Sequence, residues 1–341
     1  MPKNSIPKEA RLKFKSAREL IKQRNISQAR AELLGIELGS SFTLFHRLLA
    51  ACAFIDKDYE LSASHIEQAL ALDTEKQVLI ADAIRIYKSK GDTERALQLF
   101  HSFNLEKSES SSELLRAALS MKVLSKYPEA ALALEKALRL APENTRIRDQ
   151  YGIMLAMTNR SSEALQQWQF SLKFNPNDNQ ALVCLGRLYL HQEEYLKAIE
   201  SFKTVYDSSE DNKAGKKVNL IDAYIRNSSY SEARELLSTV EGMDSNPRFH
   251  YLWGTLHYRC SDLLLAFASL SRCIVLGKER THEVIDKIDW PLNCPSDPEL
   301  KTLIDSTIPI LDSIFDPFNM LLNPSADFNN KAHSDYDLLL D

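Results

Sequence analysis

The sequence holds 341 residues, of which 44% are hydrophobic and 26% are charged, and its formal net charge is −5. This composition is ordinary for a soluble folded protein, and no apolar run approaches the roughly 20 residues that a membrane span requires. Only 9 glycines and 12 prolines are present, which disfavours phosphate-binding glycine loops and turn-rich β folds and favours helices joined by short loops. Because the basic N-terminus lacks a continuous apolar core, no signal peptide is predicted, and we expect a cytoplasmic protein.

The two ends of the chain carry opposite charges. Residues 1–30 contain nine Lys or Arg and two Glu, whereas residues 281–341 contain three Lys and twelve Asp or Glu. Such an asymmetry bears on binding partners rather than on fold. Residues 1–9 are interpreted as a basic N-terminal extension.

The middle of the chain repeats with a period of 34 residues. Stepping back by 34 from three positions near residue 190 gives three series in the same phase, in which small residues dominate the first two and large apolar residues the third. The series are Gly186, Gly152, Ala118 and Ile84; Ala198, Ala164, Ala130 and Ala96; and Phe202, Trp168, Leu134 and Phe100. Pro142 and Pro176 end helices between units, because proline lacks an amide hydrogen and clashes with the preceding turn. A fixed period of this length predicts stacked helical hairpins.

This pattern resembles the tetratricopeptide repeat family. The residues that carry the resemblance are Leu185, Gly186, Tyr189, Ala198 and Phe202 in one unit, Tyr151, Gly152, Ala164, Trp168 and Pro176 in the preceding one, and Ala130, Ala137 and Pro142 before that. The resemblance implies an all-α, right-handed superhelical solenoid of about eight antiparallel helix pairs with a concave inner surface. We place the array at 10–280, with units at 10–42, 43–76, 77–110, 111–144, 145–178, 179–213, 214–246 and 247–280.

The C-terminal region departs from the repeat. Residues 281–322 are predicted to form capping helices, because apolar residues recur at helical intervals over 295–315 and repeat arrays need a covered end. Pro309 is expected to break or kink that helix. Residues 323–341 are acidic and polar and are predicted to be disordered. The three leucines among aspartates near the end are either a short linear motif or a chance occurrence.

No catalytic or metal-binding pattern is present in the sequence. It contains no HExxH, GxSxG, Walker loop or paired CxxC. The nearest approach to a zinc set is His250, His257, Cys260 and Cys273, but His257 and Cys273 occupy positions where side chains pack between helices. The five cysteines are odd in number and scattered, which favours packed free thiols over disulfides. We therefore predict a non-enzymatic protein with no catalytic residues, no metal and no cofactor.

In the tetratricopeptide repeat family, partners usually lie in the concave groove and contact residues two, five, nine, twelve and thirteen of each unit. Those positions are apolar in the middle units, at Leu115, Leu119, Val123, Ile153, Met157 and Val183, and basic in the first, at Arg11, Arg18 and Lys22. The C-terminal units offer Arg187, His191, Asn219, Arg226, Arg248, Tyr251, Tyr258 and Arg259. Arg and Tyr anchor interfaces through bidentate hydrogen bonds and rigid aromatic area. We predict that these eight residues bind a protein or peptide, possibly an acidic one; the alternative is a solvated inner face.

Other partners fit less well. The family's carboxylate clamp, which grips acidic C-terminal peptides, is matched by Asn219 and approximated by Arg248, but Val183, Arg187 and Leu252 depart from it. RNA binding is disfavoured by the negative net charge and by the lack of a recurring base-reading pair. The predicted function is a protein-interaction scaffold. The alternative is an accessory subunit or front end of an enzyme system such as a glycosyl- or sulfotransferase. We predict no nucleic-acid, membrane or small-molecule partner.

The charge asymmetry suggests one further hypothesis. The acidic tail around Asp335, Tyr336 and Asp337 folds into the basic, tyrosine-lined groove of the C-terminal units and occupies it until a partner displaces it.

Overall fold

The computed structural model describes residues 6–37, 39–73, 77–108, 110–208, 214–279, 283–291 and 293–316. Within these ranges the regular elements are α-helices, apart from two short 3-10 turns at Gly39–Ser41 and Leu105–Lys107. The chain divides into two compact units, and the boundary lies between residues 159 and 160.

The first unit is a row of helices that pack largely in chain order. Its helices are α1 (Lys8–Lys22), α2 (Ile26–Leu34), α3 (Thr43–Ile55), α4 (Tyr59–Leu72), α5 (Gln77–Lys90), α6 (Thr93–Ser102), α7 (Ser111–Val123), α8 (Tyr127–Leu140) and α9 (Thr145–Met157). Each pair, such as α3 with α4 and α7 with α8, packs side by side, and α5 also contacts α7 of the next pair. Leu48 and Ile66 are fully buried between α3 and α4 and their neighbours. Stacking is required because one helix pair cannot bury its apolar face alone.

The second unit continues the same arrangement. Its helices are α10 (Ser161–Phe174), α11 (Asn179–His191), α12 (Tyr195–Asp207), α13 (Ala214–Arg226), α14 (Tyr230–Ser238), α15 (Pro247–Arg259), α16 (Leu263–Glu279), α17 (Glu283–Asp286) and α18 (Asp297–Ile314). Here α13 contacts both α14 and α15, and α18 lies against α15 and α16. The predicted all-α solenoid of helix pairs is confirmed by this packing.

The turn inside each helix pair has a recurring backbone geometry. One residue takes a positive φ, between 58° and 93°, at Arg24, Lys57, Gly91, Ser125, Asn159, Glu193, Ser228 and Ser261. At Lys57 the reversal lets the amide of Asp58 bond the carbonyl of Ala53 at 2.9 Å, which satisfies a carbonyl at the end of α3. These eight positions lie 33 to 35 residues apart, so the backbone carries the same period as the sequence.

Small residues allow the close approach of paired helices. A Cβ atom on Gly186 would lie 2.6 Å from the ring of Phe202, which is itself 1% exposed. Gly254 on α15 has the same relation to Leu270 on α16, again at 2.6 Å. These contacts explain why small and large residues alternate across the pairs α11 with α12 and α15 with α16.

The C-terminal helix corrects one expectation. α18 runs through Pro309 without ending there, so of the two expected effects, a break or a kink, the break is wrong. Pro309 cannot donate to the carbonyl four residues earlier, but the buried side chains of Ile304, Ile308 and Leu311 hold both halves of the helix on one core. The predicted acidic tail at 323–341 lies outside the described residues, as do residues 1–5.

Candidate protein-binding surface

The first helices of the pairs in the second unit, α11, α13 and α15, carry the eight residues predicted to bind a partner. Arg248 lies at the start of α15 and is 1% exposed. Its Nη1 donates to Asn219 Oδ1 at 3.2 Å, and its Nη2 donates to Asp222 Oδ2 at 3.2 Å. Arg226 donates from Nε to the other oxygen of Asp222 at 2.8 Å. One buried carboxylate is therefore held between two guanidinium groups.

The network extends onto the C-terminal helix α18. Arg226 Nη2 lies 3.6 Å from Asp312 Oδ1, and the hydroxyl of Tyr251 donates a short hydrogen bond to the same carboxylate. Tyr258 donates in the same way to Asp305, which lies two helical turns before Asp312 on α18. The seven-residue spacing of Asp305 and Asp312 is two helical turns, so both aspartates face the same side. The ring of Phe315 lies 4.8 Å from that of Tyr251.

These contacts shift the titration of the groups involved. The charge of Asp222 is the main reason that the pKa of Arg226 lies above its ordinary value. Burial, followed by the charge of Asp312, raises the pKa of Tyr251 well above its ordinary value. The hydrogen bond to Asp305 is the main cause of the raised pKa of Tyr258. The surface therefore favours charged arginines and protonated tyrosines around the two aspartates.

Apolar contacts show that α18 is firmly attached. Leu300, Ile304, Ile308, Leu311 and Phe315 are each 0–6% exposed and belong to the core of the second unit. Fully burying one such side chain is worth about 1.5–3 kcal/mol. The five together contribute on the order of 8–15 kcal/mol as an upper bound, so α18 is an integral part of this unit rather than a loosely held segment.

The structure thus brings most of the predicted site residues together, and the contacts described above involve five of them. Those five are Asn219, Arg226, Arg248, Tyr251 and Tyr258. Arg187 is 6% exposed on α11, whereas His191, one turn later, and Arg259, at the end of α15, are exposed. The prediction did not include Asp222, Asp305 and Asp312. The sequence did contain a signal for the last two. Asp305 and Asp312 are seven residues apart, which places them on one side of a helix beside its apolar residues.

The first unit holds a second buried ionic network that was also missed. Asp82 on α5 is 0% exposed and accepts hydrogen bonds from Arg47 Nε at 2.7 Å and from Arg116 Nη1 at 3.1 Å. Arg85 follows Asp82 by three residues on the same helix and is 3% exposed. Burial lowers the pKa of Arg116, the charge of Asp82 opposes this, and Arg47 and Arg85 lower it further. Arg47 is the fifth residue of unit 43–76, and Arg85 is the ninth residue of unit 77–110. Both positions are among those that line the groove in the tetratricopeptide repeat family, so the sequence could have indicated these two arginines.

The residues considered for zinc do not form a site. His250 bonds the carbonyl of Asp244 at 2.8 Å, and the ring of His257 stacks on Trp253 with centroids 5.3 Å apart. Cys273 is buried, which raises the pKa of its thiol, whereas Cys260 is exposed. Within the described ranges no group of three or more His, Cys, Asp or Glu side chains could hold a metal ion. None of the helices described there is both long and apolar enough to cross a membrane.

Comparison with known proteins agrees with this architecture. Residues 158–213 match the sequence profile of the tetratricopeptide repeat. This segment of the chain therefore carries a tetratricopeptide repeat. The crystal structure of a tetratricopeptide repeat protein from Parabacteroides merdae superposes with a TM-score of 0.56 at 16% identity, covering 75% of this chain and 96% of that one. The type IV pilus biogenesis factor PilW gives 0.51 at 19% identity, over 60% and 93% of the two chains. At these identities the tetratricopeptide-repeat fold alone is shared.

One curated relative also matches. The mouse BBSome complex member BBS4 is 26% identical over 163 residues, which cover 47% of this chain. The match spans 31% of the mouse protein. The tetratricopeptide-repeat fold is that of a protein-interaction scaffold.

Proposed function

We propose that the chain is a non-enzymatic adaptor that binds an acidic segment of a partner protein on the first-helix surface of its repeats. In the second unit this surface consists of the eight residues predicted to bind a partner. The observation that carries the proposal is the docking of α18, whose Asp305 and Asp312 already lie against Tyr258, Tyr251 and Arg226.

The contacts with α18 indicate the chemistry that a partner would use. Charge-assisted hydrogen bonds from Arg and Tyr to carboxylates, with an aromatic side chain beside them, are strong and directional. The apolar attachment of α18 argues against its displacement. The partner is therefore assigned to the exposed part of the surface, at His191 and Arg259, with Arg187 at its base.

The likeness to a complex member supports a role within an assembly. The mouse relative is named as a component of a multiprotein complex, and the matched segment covers 47% of this chain. We accordingly place this chain as a subunit or adaptor that acts by contact with other proteins.

Affinity capture with mass spectrometry tests the proposal. The bait variant His191→Glu/Arg259→Glu introduces negative charge on the exposed surface and leaves the buried network intact. The substitution Arg248→Glu is unsuitable, because it would place a second carboxylate beside the buried Asp222. The variant would then unfold, and unfolding would mimic a loss of binding. The matched control is Lys203→Glu/Arg272→Glu, on exposed positions of the second helices α12 and α16.

A specific partner should be retained by wild type and by the control. It should be recovered at least about tenfold less with the test variant, because like charges across an interface are costly. Its binding should also weaken as ionic strength rises. A partner retained equally by all three baits would contradict the placement, and binding insensitive to salt would contradict an acidic ligand.

A further inference from the structure

One face of α1, the first helix of the first unit, is lined with basic side chains. They recur at alternating intervals of three and four residues, the spacing that keeps side chains on one face of a helix. We call this set the basic stripe; its members are Lys8, Arg11, Lys15, Arg18 and Lys22. Arg18 is half-buried, and the other four are exposed. From Lys8 to Lys22 the helix rises about 21 Å, which is the length of the stripe.

The fold makes little use of these charges. α1 packs on α2 and α3 through side chains that are 0–6% exposed, those of Ala10, Phe14, Ala17 and Ile21. Lys22 lies 3.7 Å from the carboxylate of Glu19, but both side chains are exposed, and such a pair contributes little to stability. Lys8 and Arg11 lie in the first turn of α1, where the helix dipole disfavours cations. Folding alone therefore does not account for the basic stripe.

The other side chains of α1 narrow the chemistry of a partner. Leu12 follows Lys8 by four residues and precedes Lys15 by three, and it is 61% exposed, so an apolar group lies beside the cations. The aromatic side chain of α1, Phe14, is 3% exposed and belongs to the core, so it offers no ring on which a nucleic-acid base could stack. A specific protein interface has a largely apolar centre, which one leucine does not supply. Cations with one apolar side chain match anionic headgroups above an acyl layer.

We propose that the basic stripe binds the anionic headgroups of a lipid bilayer, with Leu12 at the boundary between the headgroups and the acyl chains. α1 then lies along the membrane surface, and the chain associates with the membrane peripherally. The sequence alone predicts no membrane partner, because it contains no apolar run that could span a bilayer; the structure adds that the five cations share one face of a helix. The proposal concerns α1 and is independent of the partner proposed for the second unit.

The strength of this association follows from the number of charges. Each Lys or Arg held near an anionic bilayer strengthens binding about fivefold. Attraction between exposed charges is screened by salt. The association is therefore reversible, depends on anionic lipid and weakens as the ionic strength rises.

Co-sedimentation of the full chain with lipid vesicles tests the proposal. Vesicles of phosphatidylcholine and phosphatidylserine, mixed about two to one, should pellet the protein at low ionic strength and release it when salt is added. Vesicles of phosphatidylcholine alone should leave the protein in solution. Equal binding to the two kinds of vesicle would overturn the proposal.

Two charge variants assign the binding to the stripe. Lys8→Gln/Lys15→Gln removes two exposed cations and should weaken binding to the anionic vesicles about twentyfold. The matched control Lys203→Gln/Lys301→Gln makes the same change of charge at exposed positions of α12 and α18 and should bind like wild type. Thermal unfolding should show no loss of stability in the first variant, because removing Lys8 relieves its conflict with the helix dipole. Equal vesicle binding by the two variants would contradict the placement on α1.

A third variant distinguishes a membrane from a nucleic acid. Leu12→Asn removes the exposed apolar group and should weaken binding to the anionic vesicles at least about threefold. The alternative ligand is probed with a fluorescein-labelled single-stranded RNA oligonucleotide, whose binding is followed by fluorescence anisotropy, and we expect no binding at the protein concentrations that saturate the vesicles. If the oligonucleotide binds and Leu12→Asn still binds the vesicles like wild type, the stripe recognises phosphate alone, and the proposal is overturned in favour of nucleic acid.

Discussion

Each unit of this protein buries an aspartate between two arginines, and in the second unit the ion pairs extend onto the C-terminal helix α18. In the first unit Asp82 is held by Arg47 and Arg116. In the second, Asp222 is held by Arg226 and Arg248, and Arg226 also meets Asp312 of α18. Arg248 gains Asn219 as well. The acidic helix α18 thus supplies the second network with a further carboxylate, that of Asp312.

The comparison shows how the chain's own carboxylates hold the buried arginines of its first helices. Buried arginines on first helices need carboxylates for stability. Where the chain supplies enough of them, as around Arg226, the arginines hold the fold together. On Arg47 one Nη donor is buried without a hydrogen-bond partner, which adds to the free-energy cost of burying the first network.

The largest difference between the units should appear when the central aspartates are removed. Asp82→Ala leaves Arg47 and Arg116 buried with no carboxylate between them, and should lower the free energy of unfolding by about 3–5 kcal/mol. Asp222→Ala should cost less, about 2–3 kcal/mol, because Arg226 keeps Asp312 and Arg248 keeps Asn219. Urea unfolding followed by circular dichroism measures both. A larger loss for Asp222→Ala would contradict the comparison.

Removing the carboxylate supplied by α18 should make the second network resemble the first. Asp312→Asn takes a charged acceptor from Tyr251 and an ionic partner from Arg226, and should cost about 1–2 kcal/mol. The control Asp289→Asn changes an exposed aspartate and should leave stability within about 0.5 kcal/mol of wild type. If both variants unfold at the same urea concentration, α18 contributes nothing through Asp312.

The turns inside the helix pairs should respond alike in both units. Lys57 and Glu193 are exposed and have φ of 62° and 60°, a region that costs non-glycine residues about 1–2 kcal/mol. Lys57→Gly and Glu193→Gly should therefore each raise the free energy of unfolding by about 0.5–1 kcal/mol, after the entropy of glycine is allowed for. Thermal unfolding is the measurement. A marked difference between them would mean that the units differ in their scaffold as well as in their networks.

The smallest effect is expected at the exposed end of the α18 contact, and it should depend on pH. Tyr258→Phe removes the hydrogen bond to Asp305 and should cost about 0.5 kcal/mol at pH 8. The pKa of Tyr258 is raised in the folded state, so its contribution is fully present below its ordinary pKa of about 10 and is lost as the pH rises through the folded value. The difference between wild type and variant should therefore shrink at pH 11. A larger difference there would contradict the assignment.

The sequence was sufficient to predict the array but not the ion pairs. The recurrence of Gly186, Ala198 and Phe202 at 34-residue steps reports local helix packing, which depends on neighbours in the same unit. The pairing of Arg47 with Asp82 joins side chains 35 residues apart, and that of Tyr251 with Asp312 joins side chains 61 residues apart. Such contacts depend on how whole helices stack. The position of an arginine within its repeat unit indicates that it lies on the groove side, but does not indicate which carboxylate it pairs with.

Pro309 illustrates the same limit. Its local effect on a helix is unfavourable, and the break expected from the sequence alone did not occur because Ile304, Ile308 and Leu311 are buried on both sides of it. Tertiary packing outweighs a local preference when several apolar side chains are anchored to one core.

The claim that α18 completes the second network is tested most directly by a double-mutant cycle between Tyr251→Phe and Asp312→Asn. Urea unfolding of wild type, the two single variants and the double variant gives the coupling free energy of the pair. The contact through a buried tyrosine predicts a coupling of about 1 kcal/mol or more. Additive effects, within about 0.3 kcal/mol, would show that Asp312 does not act through Tyr251 and would contradict the account.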